Sequence, residues 1–135
     1  MQMVVNNVAS QGVVTNGLVL YYDPSNSSSY SGSGTTINSL APINLTGAMS
    51  NITFTNPYFS YNGTSSQITV TDNTLLEPGS GNWTMEAWVY LSNTGAGTKT
   101  ILGKFDPGGQ AADVSYSMRI GAANAFAQFG DGTGA

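Results

Sequence analysis

Residues 82–91, NWTMEAWVYL, set Met85, Ala87, Val89 and Leu91 in alternation with Thr84, Glu86, Trp88 and Tyr90. Successive side chains leave a β-strand on opposite faces, so a period of two predicts one amphipathic strand here, with an aromatic second face. Other stretches repeat the period. Residues 66–71 place Ile68 and Val70 inward and Thr69 and Thr71 outward. Residues 100–105, 114–120 and 125–129 predict three more strands, and within 114–120 Val114, Tyr116, Met118 and Ile120 oppose Ser115, Ser117 and Arg119. Ile52 with Phe54, and Tyr58 with Phe59, predict two short pieces broken at Asn56-Pro57, because proline cannot donate to a ladder.

Residues 17–23, GLVLYYD, are apolar on both sides, as a strand covered on both faces would be. Pro24 and the serine-rich run to Gly34 end that strand and open a long loop. Residues 77–81, EPGSG, are turn chemistry that delivers the chain to the aromatic strand. No segment shows helix-period spacing with caps. The expected class is all-β, an antiparallel β-sandwich built from many short strands.

The chemistry open to such a fold is limited by its side chains. Of the 135 residues only 7% are charged, and Lys99, Lys104 and Arg119 are the only permanent cations against a net charge of -4. Capture of DNA, RNA or anionic lipid needs a basic patch, so nucleic acid and membrane surfaces are not expected partners. The chain has no cysteine and no histidine, which removes disulfides, thiolate sites, the commonest metal ligand and Ser-His chemistry together. The first residues, MQMVVNNVASQGVV, carry neither a basic n-region nor an unbroken apolar run, and no stretch approaches the roughly 20 apolar residues of a membrane span. A soluble protein is expected, one assembled inside the cell and later released or one whose leader has been removed. Residues 1–16 read as an N-terminal arm or a frayed terminus.

The succession GLVLYYDPSNSSS (17–29), YNGTSSQITV (61–70), NWTMEAWVYLSN (82–93), TILGKFD (100–106) and SYSMRIG (115–121) resembles the concanavalin A-like jelly roll of the laminin-G type. Order and spacing match over about residues 17–130. The resemblance implies two antiparallel sheets, one concave, with carbohydrate or protein ligands met on the concave face or its rim. It also implies the settings of such domains, bacteriophage virion and tail proteins and secreted bacterial proteins. The family continues with further strands, one bearing a tryptophan and a short Asp-Gly turn, beyond the point where this chain ends at Gly-Asp-Gly-Thr-Gly-Ala. The jelly roll is therefore expected to be incomplete within these residues, and half of one would leave long unpaired edges. Either residues 17–135 are the front part of a longer domain, or a partner chain completes it.

Glycoside hydrolases on related folds carry closely spaced carboxylates on one strand. Here Glu77 and Glu86 stand far apart, and the same-face neighbours of Glu86 are Thr84 and Trp88. Two carboxylates flanking one bond are the ordinary requirement for glycoside hydrolysis, so no enzyme is expected. Glu86 then hydrogen-bonds a backbone or hydroxyl group within the sheet. Trp88 and Tyr90 stand roughly 7 Å apart along one strand face, a span on the scale of a sugar ring. Aromatic faces beside the acceptors of Thr84 and Glu86 suit a neutral glycan, whose C–H faces stack while its hydroxyls bond to side chains. The alternative is that both rings pack under a loop or against a neighbouring subunit.

Some laminin-G-type domains bind Ca²⁺ through rim aspartates, and the resemblance gives Asp106, Asp113 and Asp131 that possible role, against one as solvated turn residues. Asn26, Asn44, Asn51, Asn62 and Asn82 each open an Asn-x-Ser/Thr sequon, which carries meaning only in a eukaryotic secretory path. The expected function is a non-catalytic structural or attachment component of a bacteriophage particle, as capsid decoration or tail fibre. Its partners would be other copies of itself, other virion proteins and a glycan. The alternatives are a bacterial surface adhesin and the accessory carbohydrate-binding part of a glycosidase.

Overall fold

The computed structural model describes residues 13–77, 79, 81–92, 97–105, 114–121 and 124–129. They form short antiparallel strands with no α-helix among the described residues. The chain divides into two units, Met1–Leu75 and Leu76–Ala135.

In the first unit β1 (Thr36–Asn38), β2 (Thr46–Ser50) and β5 (Gln67–Val70) make a three-stranded sheet in the order β1-β2-β5, while β3 (Ile52–Thr55) and β4 (Tyr58–Tyr61) form a hairpin. Asn51 joins β2 to β3 with φ of +53°, a left-handed conformation that asparagine tolerates better than most residues. Asn56 and Pro57 make the hairpin turn, so the break expected there is a reversal that sets Phe54 opposite Phe59. Period two decides what is buried: Ile37 from β1, Met49 from β2 and Ile68 from β5 meet Ile52 and Phe54 of β3 and Phe59 of β4. Tyr30 closes the cluster, its ring 5.0 Å from both Phe54 and Phe59 in edge-to-face contacts. Sheet and hairpin thus share one core, with Ile37 fully buried within it.

Three expectations are corrected here. Residues 17–23 are not a strand; hydroxyl groups do much of the work of a ladder there. The Tyr21 amide donates to Ser39 Oγ at 3.0 Å and the Asp23 amide to Ser29 Oγ at 3.1 Å, while the Leu40 amide donates to the Tyr21 carbonyl at 2.8 Å. Within the stretch read as loop, Thr36–Asn38 and Thr46–Ser50 are strands. Among the described residues, 82–91 join no ladder.

In the second unit β6 (Lys99–Phe105), β7 (Val114–Ile120) and β8 (Ala125–Phe129) form an antiparallel meander, all three of which the alternation predicts. Two irregularities in the β6–β7 register, between Thr100 and Leu102 and between Lys104 and Phe105, let Gly103 face Ser117. The Phe105 ring folds back over Gly103, where an added Cβ would stand 2.9 Å from it, and the Arg119 guanidinium sits 5.5 Å above the same ring.

Candidate functional site

The site begins where the chain leaves a single 3-10 turn at Thr74–Leu76. Glu77 pairs with the ammonium of Lys104 on β6, and Trp83 lays its indole 4.9 Å from the Tyr116 ring on β7. Residues 77 and 83 are thereby tied to one face of the meander, since Lys104 and Tyr116 are cross-strand partners. Tyr116 is 8% exposed, and burial pushes its phenol above the ordinary tyrosine range. The nearby Lys104 opposes that rise, and Glu77 adds to it.

Beyond Trp83 the chain leaves this support. No bend occurs between Gly81 and Ser92, and no residue of 82–91 adopts a positive φ, so the segment is extended. Its early part still alternates, with Trp83 and Met85 half-buried and Thr84 and Glu86 exposed. From Ala87 onward every side chain is exposed, Trp88 at 94% and Tyr90 at 92%. Among the described residues nothing covers these two rings.

Thr84, Glu86, Trp88 and Tyr90 occupy alternate positions of one bend-free segment, and all four are exposed. Glu86 is exposed and, among the described residues, lies on a segment that joins no sheet. The other described carboxylate of this unit, Glu77, is held by Lys104. Asp106, Asp113 and Asp131 lie outside the described residues, and no group of three or more metal-ligating side chains occurs among the described ones.

The arrangement can offer flat apolar faces, one carboxylate and one hydroxyl to a ligand that approaches from solvent. Trp83, Tyr116, Lys104 and Glu77, which anchor the segment, were not singled out as a group from the sequence. Glu77 and Lys104 are 27 residues apart, and nothing local marks them as partners. No family model, curated protein or solved structure matches this chain, so the residues themselves carry the functional reading.

Proposed function

We propose that this protein is a non-catalytic attachment or structural component that holds a neutral carbohydrate against Trp88 and Tyr90. The observation that carries the reading is the near-complete exposure of both rings on one extended segment. Large aromatic side chains are ordinarily buried, and a tryptophan left in water beside a tyrosine is a surface suited to a ligand with apolar faces. Pyranose C–H faces supply such a surface, and the Glu86 carboxylate and Thr84 hydroxyl are placed to accept or donate hydrogen bonds at its edge. The sparse charge of the chain favours a neutral ligand over an ionic one. The setting we propose is a bacteriophage virion, with the strands belonging to a concanavalin A-like jelly roll; this part rests on the resemblance of residues 17–130 to laminin-G-type domains.

Titration of the protein with neutral oligosaccharides, followed by calorimetry, tests the carbohydrate reading. Trp88→Ala is expected to weaken binding at least tenfold while the melting temperature stays within a degree or two of the parent. Failure of the parent to bind any neutral glycan would remove the reading, as would a Trp88→Ala variant that binds unchanged. Immunogold labelling of purified phage particles tests the setting separately.

A further inference from the structure

We infer that residues 85–91 pair antiparallel with the same residues of a second copy of this chain, centred on Trp88 opposite Trp88. Residues 84–91 are extended and bend-free, yet enter no ladder among the described residues, whereas β6, β7 and β8 are all paired. A strand edge with free N–H and C=O groups is a template for another strand. Native edges are commonly blunted by lysine, proline or inward charges. The stretch contains no proline, its one charge, Glu86, is exposed to solvent and not turned inward, and the only cations of the chain, Lys99, Lys104 and Arg119, lie on β6 and β7.

The segment is complementary to itself in one register. With Trp88 at the centre, Ala87 meets Val89, Glu86 meets Tyr90 and Met85 meets Leu91, short of the bend at Ser92. Small then faces larger, apolar faces apolar, and the one carboxylate faces a phenol that can donate to it. Charge also selects the direction. Parallel in-register pairing would set Glu86 beside Glu86, which is unfavourable, while the antiparallel register holds the two carboxylates roughly 14 Å apart along the strands.

Pairing buries the facing edges of Trp88, Val89, Tyr90 and Leu91, all exposed in the single chain, and leaves one face of each aromatic ring open, so the dimer is expected to be concentration-dependent. Opposed residues in an antiparallel pair share a face, so pairing sets Trp88 and Tyr90 of both copies in one row. If the carbohydrate reading is right, that row is its full binding surface, roughly 14 Å long.

Sedimentation of the full chain over a concentration series, with no sugar present, tests the inference, and the lack of native cysteine allows the register to be read by cross-linking. Trp88→Cys is expected to give a disulfide-linked dimer for most of the protein under mild oxidation, since directly opposed Cβ atoms stand about 4.5–5.5 Å apart. Thr84→Cys is expected to give almost none, its two copies lying roughly 27 Å apart. Because removing Trp88 could itself weaken pairing, a mixture of Ala87→Cys and Val89→Cys chains, which both keep the indole, should cross-link to the heterodimer. A monomer at every concentration, equal cross-linking at positions 84 and 88, or a mass above two copies would each overturn the pairing. A dimer that ignores carbohydrate overturns the proposed function alone, and a monomer that binds carbohydrate overturns the pairing alone.

Discussion

The Trp83 indole and the Tyr116 ring lie 4.9 Å apart with their planes at 56°, which anchors one end of the aromatic segment to β7. Five residues on, Trp88 has no such support. The two tryptophans of the chain therefore differ in what they support: Trp83 packs on Tyr116, and Trp88 stands in solvent. Trp83→Ala is expected to cost about 2–3 kcal/mol, because it removes a half-buried ring from a buried tyrosine. Trp88→Ala is expected to stay within about 0.5 kcal/mol of the parent. Urea unfolding followed by circular dichroism measures both, and equal losses would contradict this division.

Gly47 on β2 marks the tightest approach in the first unit. A Cβ built there would stand 2.5 Å from Ile68 Cγ2, 2.9 Å from the Tyr22 hydroxyl and 3.0 Å from Ile37 Cγ2. The neighbours are core side chains with little freedom to give way, so Gly47→Ala is expected to destabilise by about 1–3 kcal/mol. Tyr22→Phe removes one of the three clashes. The double variant should then lose less than the sum of the single losses, a coupling that a double-mutant cycle reads directly.

Much of the strand layout is legible in the alternation of residues, and the exceptions have a common cause. Ile68, Val70 and the meander residues from Lys99 to Phe129 repeat apolar and polar side chains often enough to mark strands. β1 and β2 escape notice because each contributes little to such a pattern: Ile37 stands between Thr36 and Asn38, and Met49 follows Gly47 and Ala48. The reverse error arises at residues 17–23 and 82–91. Their period and composition suit strands, but a ladder also needs a partner, and partners are set by residues far away in sequence. As a strand pattern, alternation assigns Thr84, Glu86, Trp88 and Tyr90 to one side, although the segment enters no ladder among the described residues. It carried no information on whether anything covered them, nor on the Glu77–Lys104 pair that ties down the approach to them.

Tyr22 makes the first unit sensitive to alkali. Its hydroxyl donates to the Leu45 carbonyl at 3.1 Å, and burial pushes its pKa from near 10 to about 12. Below pH 10 the phenol is neutral whether the chain is folded or unfolded. Between pH 10 and about 12 the unfolded phenol releases its proton while the folded one keeps it, so stability is complete below pH 10 and falls as pH rises toward 12. Thermal melts from pH 9 to 12 should show this decline. Tyr22→Phe should make it shallower without abolishing it, since burial also raises Tyr21 and Tyr61. An unchanged pH slope in that variant would mean that Tyr22 does not titrate late.

Ser117 carries the opposite kind of prediction, a substitution that improves the protein. The residue is fully buried on β7 opposite Gly103, and its Oγ has no hydrogen-bond partner among the described residues. A buried hydroxyl without a partner forfeits its hydration and receives nothing for it, a deficit typically of about 1–3 kcal/mol. Alanine keeps the Cβ, which already packs 3.1 Å from the position a Gly103 side chain would take, and discards only the stranded oxygen. Ser117→Ala is therefore expected to raise stability by about 0.5–1 kcal/mol, less than the full deficit because removing the oxygen also leaves a small void. Chemical denaturation of the two proteins side by side decides the matter. A loss of stability would mean that Ser117 Oγ is bonded in solution, and the hydroxyl would then count among the interactions that hold β6 to β7.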